Sequence, residues 1–325
     1  MKTGVPTKAV ATPGGISVAA SVRQSVSTAS MKAAPSTSER GITRAKEAPT
    51  RRRAACGITS PTQPMTLAAR ALDFGFRDHV VGRGFDCALE AGEVVCLLGP
   101  NGSGKSTLMR TLLGLQARLA GEVTLEGRDL AAWGAAERAR RLAWVPQAAD
   151  TYFDFSLREM VEMGRTAHRG VFASPGARDR EIAAAALERL GIATLADRPI
   201  HAVSGGERQL ALIARALATE AAFVVMDEPT ANLDYGNQAR VLEEIARLKG
   251  SGIGILVSTH HPEHAFRIAD RVLLLARGAL VAQGPTLATL TSDSLSDLYG
   301  RPVEVATVTL ADGTSRRVCV PVSGA

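Results

Sequence analysis

The sequence predicts an α/β domain whose central sheet is mainly parallel. From Thr66 onward, short apolar runs alternate with helical stretches, the rhythm of strands joined by crossover helices. The runs Val94–Leu98 and Phe223–Asp227 are apolar through at least four successive positions, as expected of strands covered on both faces. A glycine-rich loop joins the first run to Lys105–Leu115, where Leu108, Leu112 and Leu115 recur at helical spacing, completing the order strand, loop, helix.

Residues 1–64 precede this pattern and differ from it in kind. They hold ten Lys and Arg against two acids and no Leu, Phe, Tyr or Trp, so they cannot bury enough apolar surface to offset the entropy of ordering. The expectation is a disordered basic leader, either a solvated tail or sequence upstream of a true start at Met65. A transit peptide or a nucleic-acid arm would need an amphipathic pattern or interleaved aromatics, which the leader lacks, so no nucleic-acid partner is expected. The folded domain is expected over 65–300. Within it, about 148–203 reads as a helical subdomain, with the capping box Ser156-Leu157-Arg158-Glu159 ahead of Met160, Val161 and Met163. Glu207–Ala218 then sets Leu210, Ile213, Ala214 and Leu217 on one helical face, and Ile253–Ser258 supplies a further strand. Residues 301–325 form a tail in which Val303–Leu310 and Ser315–Val320 pair as a hairpin with a tight turn at Asp312-Gly313.

With 325 residues, 46% of them apolar, the chain can bury one large or two ordinary cores. Its net charge of +6 belongs to the leader. Cys56, Cys87, Cys96 and Cys319 have no C-x-x-C spacing, which argues against a disulfide framework or zinc ribbon and fits a reducing setting. No stretch of 18 consecutive apolar residues offers a membrane span.

Gly99-Pro100-Asn101-Gly102-Ser103-Gly104-Lys105-Ser106 fits G-x-x-x-x-G-K-[ST], in which the backbone curls so that successive N–H groups face phosphate oxygens. The following helix adds the positive end of its dipole. Lys105 is placed to reach β- and γ-phosphates, and the Ser106 hydroxyl to ligate Mg²⁺. A magnesium nucleotide also needs a carboxylate at the tip of a neighbouring strand. Asp227 offers one, while Glu228, pointing the other way, is free to polarise an attacking water as general base.

In this combination the chain resembles the ATP-binding subunits of ATP-binding-cassette (ABC) transporters, over nearly all of residues 66–300. Val203-Ser204-Gly205-Gly206-Glu207 is similar to the family signature, with Val203 and Glu207 where Leu and Gln are commonest. The resemblance implies a P-loop NTPase fold with an antiparallel β subdomain and a helical subdomain inserted between the Q-loop and the signature. It implies that Ser204, Gly205, Gly206 and Glu207 reach the γ-phosphate held by a partner subunit. Gln147, after Trp144-Val145-Pro146, resembles the glutamine that senses Mg²⁺ and the attacking water. Asp234 of Ala231-Asn232-Leu233-Asp234 resembles the loop that crosses the dimer interface, and His260 the switch histidine on the γ-phosphate. Thr107 falls with Ser106 at the nucleotide. Phe76 sits where an aromatic stacks on adenine, with core packing the competing reading. A metal cluster of His260, His261 and His264 is disfavoured, because His260 already has a role and Pro262 opens a helix behind it.

The resemblance further implies ATP and Mg²⁺ as cofactors, a head-to-tail homodimer and separate integral-membrane permease subunits on the cytoplasmic face of a membrane. A substrate-binding protein would act indirectly through the permease. Tyr152, Phe153 and Phe155 are candidate permease contacts, with core packing as the alternative. The stretches Ser258–Ala265 and Leu298-Tyr299-Gly300 look like importers of iron-siderophore, haem or cobalamin, with molybdate-type relatives close by. A soluble translation- or repair-type ABC protein would carry two cassettes or a long coiled-coil insertion. This chain has one cassette and about 57 residues from Gln147 to Ser204.

Overall fold

The structure is a computed structural model that describes residues 65–147, 154–169 and 173–322. The expectations for the leader and for Tyr152 and Phe153 lie outside the described residues. Strands β1 (Thr66–Phe76) and β2 (His79–Glu90) form an antiparallel pair, and β3 (Val94–Leu98) leads through the glycine-rich loop into α1 (Lys105–Leu112). β4 (Ala120–Leu125) and β5 (Arg128–Asp129) complete a four-stranded sheet of order β2-β1-β4-β5, the expected antiparallel subdomain. After α2 (Ala135–Arg141) comes β6 (Leu142–Val145), then the helical region with α3 (Leu157–Glu162) and α4 (Ala177–Arg189). The capping box forms as expected: Ser156 N–H donates to Glu159 Oε2 at 2.8 Å and Glu159 N–H returns to Ser156 Oγ at 3.2 Å.

Helix α5 (Gly205–Ala218) feeds β7 (Phe223–Met226), and α6 (Tyr235–Lys249) feeds β8 (Gly254–Thr259). Then follow α7 (Pro262–Ile268), β9 (Arg271–Ala276), β10 (Ala279–Pro285), α8 (Thr286–Thr289) and α9 (Ser292–Tyr299). The second sheet has the order β10-β9-β3-β8-β7-β6, parallel throughout except for the edge strand β10. Its central strands are buried on both faces. Val94, Cys96 and Leu98 pack with α5, α6 and the helical region, whereas Val95 and Leu97 pack with α1 and the antiparallel sheet. Cys87, Cys96 and Cys319 are free thiols, and burial pushes the Cys87 thiol up to about 12.

The tail forms the expected hairpin, β11 (Val303–Thr309) with β12 (Ser315–Pro321). Its turn is tight, as expected at Asp312-Gly313: Leu310 N–H donates to Thr314 O at 2.8 Å, Gly313 N–H donates to Leu310 O at 2.9 Å, and Gly313 takes φ +81°. Asp312 Oδ1 accepts from both the N–H and the hydroxyl of Thr314, so side-chain bonding to the backbone braces the turn.

One expectation about the sheet is corrected. The carboxylate strand β7 is not the neighbour of β3, because β8 lies between them. Leu98 pairs with Thr259 at the ends of β3 and β8, whereas β7 ends two residues earlier, with Met226 opposite Val257, so Asp227 and Glu228 follow beside Ser258 and the three loops share one edge of the sheet. Ligands of open α/β sheets gather at this carboxyl edge.

Candidate functional site

The loop 99–104 owes its path to glycines where a side chain would collide. A Cβ on Gly99 would meet Leu275 O at 2.2 Å, and Gly102 and Gly104 adopt φ +79° and +102°. The result is a concave run of backbone at the start of α1, the arrangement that receives anions. Ser103 Oγ is buried and has no hydrogen-bond partner, an orphan donor inside this cradle. Asn101 is exposed at the tip, and Ser106 and Thr107 lie half-buried in the first helical turn.

Lys105 is 5% exposed. Its Nζ donates to Gly99 O at 2.8 Å and Pro100 O at 3.2 Å and lies 3.4 Å from Glu228 Oε1. The ammonium thus folds over its own loop, where a polyphosphate would offer stronger partners. Glu228 is not the free carboxylate expected. It sits between Lys105 and His260, whose Nδ1 is 3.3 Å from Glu228 Oε2 but outside hydrogen-bonding geometry. This position follows from the backbone: Glu228 takes φ +45°, the left-handed region, which turns the chain off the strand axis and brings the carboxylate over the loop.

Ser258, on the strand interposed between β3 and β7, is the residue that sequence reasoning missed as part of the site. It is fully buried. Its Oγ donates to Asp227 Oδ1 at 2.6 Å and accepts from Glu228 N–H at 2.8 Å, so one hydroxyl fixes both carboxylate-bearing residues. The only sequence signal was its place beside Thr259 and His260 at the end of an apolar strand. The pair of a carboxylate, Asp227, and a hydroxyl, Ser106, is the all-oxygen donor set that suits Mg²⁺, with the remaining positions left to phosphate oxygens and water.

The other predicted residues form a separate group. Ser204 caps α5: its N–H donates to Glu207 Oε2 at 2.8 Å, its hydroxyl to the same oxygen at 2.9 Å, and Glu207 N–H returns to Ser204 Oγ at 3.3 Å. These bonds hold the Glu207 carboxyl below its ordinary pKa. Asp234 caps α6 by accepting from Asn237 N–H and Nδ2, each at 2.8 Å, and Gly206 fits against Asn237 so closely that a Cβ would meet Asn237 Cγ at 2.3 Å. No described contact joins this group to the phosphate loop of the same chain. Gln147 is exposed beyond the end of β6. Phe76 is 55% exposed, which removes the core-packing alternative; the core aromatic is Phe74. Phe155 is partly exposed, and its carbonyl accepts from Ile200 N–H at 2.9 Å.

His261 and His264 continue the line from His260, with ring centroids 4.1 and 4.8 Å apart in succession. Burial, with His261, His260 and Arg267 adding to it, pushes His264 down to about 4; burial and the neighbouring His260 lower His261 as well. His264 Nδ1 lies 3.3 Å from both Thr230 Oγ1 and Thr259 Oγ1. Among the described residues, no group of three or more His, Cys, Asp or Glu is arranged to hold a metal ion.

The ABC transporter family profile matches residues 83–231. An uncharacterized ABC transporter ATP-binding protein of Haemophilus influenzae is 40% identical over 242 residues, covering 74% of this chain and 92% of its own. The hemin import ATP-binding protein HmuV of Streptomyces coelicolor is 40% identical over 75% of this chain and 88% of its own length. Among solved structures, a metal-chelate type ABC transporter in an inward-facing conformation is 31% identical, with a TM-score of 0.71 over 80% of this chain and 98% of that one. Sequence, fold and the loop-and-carboxylate edge agree: the chain belongs to the ATP-binding proteins of ABC transporters and is an ATPase.

Proposed function

We propose that this chain is the Mg·ATP-hydrolysing subunit of an ABC importer for a metal chelate, an iron-siderophore, haem or cobalamin. The observation that carries the reading is the convergence of Lys105, Glu228 and His260 at one sheet edge, with Ser258 holding Glu228 and Asp227 in place. Relatives named for hemin, hydroxamate and cobalamin import support the cargo class.

Phosphoryl transfer leaves the protein mainly positioning and charge stabilisation to perform. Backbone N–H groups of 99–104 and the Lys105 ammonium bind and orient the triphosphate, and Phe76 offers its exposed ring to the base. Ser106 and Asp227 would hold Mg²⁺, which would supply charge neutralisation at the phosphates. Glu228 accepts the proton of the attacking water. His260 and Gln147 orient the γ-phosphate end. When phosphate replaces the loop carbonyls as the partner of Lys105, Glu228 is released to act as a base.

Among the described residues, the separate group Ser204–Glu207 and Asp234 makes no contact with the phosphate loop of its own chain. It is assigned to the cradle of a second copy, giving a head-to-tail homodimer with two shared sites. No described helix is long and apolar enough to cross a membrane, so translocation is assigned to permease subunits, with a substrate-binding protein acting through them and this subunit on the cytoplasmic face. Glu228→Gln is expected to retain ATP binding while turnover falls at least about a hundredfold, trapping a dimer visible by light scattering. Near-parental hydrolysis would remove the base assignment, and a monomer at saturating Mg·ATP would remove the sandwich. Cargo uptake into vesicles containing the permease, lost in the same variant, tests the transport reading.

A further inference from the structure

A cavity of about 670 Å³ lies between α6, α7 and the C-terminal hairpin, and none of its lining residues belongs to the phosphate loop. That volume falls within the range of small-molecule sites, about 300–1,000 Å³. Its inner wall is apolar, formed by buried Leu242 and the partly buried Phe266 and Val318. Three guanidiniums, those of Arg267, Arg316 and Arg317, line it as well. Arg317 lies over the Phe266 ring at 5.9 Å.

The charges do not cancel locally. The acid of the lining, Glu263, accepts from Cys319 N–H at 3.1 Å, and Arg267 donates to Glu243 at 2.9 Å. Arg316 and Arg317 have no ion-pair partner within 4.0 Å among the described residues, although Asp312 interacts with Arg316 over a longer distance. The two imidazoles of the lining, His261 and His264, have lowered pKa values and add no positive charge at neutral pH. An apolar, aromatic-floored cavity with surplus guanidinium donors is matched by a ring compound carrying a carboxylate, sulfonate or phosphate.

The hairpin that lines the cavity is also tied, through α9, to the loop that carries His260. Tyr299 Oη donates to His260 O at 2.9 Å, and α9, which carries Tyr299, is tied to the hairpin by Val303 N–H to Ser296 Oγ and Val305 N–H to Ser292 Oγ, each at 2.9 Å. Cys319 of the hairpin is bonded to the first turn of α7, and the His261 ring packs against that of His260, with centroids 4.1 Å apart and planes tilted by 41°. We propose that this cavity is a second ligand site, that it takes a compact amphipathic organic anion, and that its occupancy is transmitted through the hairpin, Tyr299 and His261 to His260. The transmission, not the binding, rests on the reading of His260 as part of the hydrolytic site.

The test uses the full chain at saturating Mg·ADP, so that the nucleotide site is filled, with 8-anilinonaphthalene-1-sulfonate as the probe and the uncharged N-phenyl-1-naphthylamine as control. Saturable sulfonate binding is expected. In Arg316→Glu/Arg317→Glu, and more mildly in Arg316→Gln/Arg317→Gln, sulfonate affinity falls at least about tenfold, while the control compound and the unfolding midpoint change little. Both positions of change are on the exposed hairpin surface. Equal sulfonate affinity in parent and variants, or a parent that binds the uncharged compound as tightly as the sulfonate, overturns the site. For the transmission, the sulfonate is expected to change steady-state ATP turnover at least about twofold in the parent and not in the Glu variant. Unchanged turnover with binding intact overturns the coupling alone, and a Glu228→Gln protein that still hydrolyses ATP identifies a failure of the hydrolytic reading instead.

Discussion

Ser258 offers the sharpest test of how the site is assembled. Replacing it with alanine removes one hydroxyl from a fully buried position and deletes two bonds, to Asp227 Oδ1 at 2.6 Å and from Glu228 N–H at 2.8 Å. The first is charge-assisted and contributes about 1.5–3 kcal/mol; the second leaves a buried N–H unpaired at a cost of about 1 kcal/mol or more. Together they come to about 3 kcal/mol, a large share of the stability of an ordinary domain. At about 2–4 °C per kcal/mol for a domain of this size, the melting temperature should fall by roughly 6–12 °C. Turnover should fall roughly ten- to a hundredfold, since both the Mg²⁺-holding carboxylate and the base lose their shared anchor. Ser258→Thr separates the two roles. It keeps the hydroxyl, so kcat should recover, while the added methyl in a close-packed strand still costs stability. Thermal melts and steady-state ATP hydrolysis read both effects. An alanine variant with parental kcat and a stability change under about 0.5 kcal/mol would refute the argument that Ser258 positions the carboxylates.

Other outcomes follow from the capping and titration of specific groups. His264 has its pKa pushed down to about 4, so the folded state resists protonation that the unfolded chain accepts. Its contribution to stability is complete above about pH 6.5 and declines as pH falls toward 4. His264→Asn should therefore flatten the difference in melting temperature between pH 7 and pH 5, and an unchanged difference would show that other groups dominate it. The Ser204 hydroxyl has one proton, which it gives to Glu207 Oε2. In the proposed sandwich that proton is needed by a partner's γ-phosphate, and the carboxylate beside it repels the same phosphate. Glu207→Gln keeps the capping box and removes the charge, so half-maximal dimerisation of a hydrolysis-disabled protein should shift several-fold toward lower ATP concentration. A shift in the opposite direction would show that the carboxylate favours closure.

The parts of the site that were legible in the sequence are those fixed by local chemistry. The glycines of 99–104 have few backbone alternatives beside a buried strand, and Val94–Leu98 ends where its apolar run ends. The capping box at Ser156 and the proline start of α7 likewise follow from side chains within a few residues. Sheet order was not legible. The loop and its carboxylates are separated in space by β8, a strand that comes later in the chain, and nothing local to either motif encodes which strand enters the gap. For the same reason Ser258 was passed over, because a serine at a strand end has no signature until its two partners are brought to it. The ion pairing of Glu228 with Lys105 was hidden too, since it depends on a backbone reversal that glutamate seldom adopts.

That reversal sets heat resistance against chemistry at a single codon. A glutamate held at φ +45° carries a conformational penalty of about 1–2 kcal/mol that glycine would escape. Laboratory selection for survival on heating, without selection for turnover, should accumulate glycine at position 228 and recover tougher, silent proteins. Purifying pressure on the reaction alone keeps the acid there, and a collection of thermostabilised descendants would record that conflict in one column.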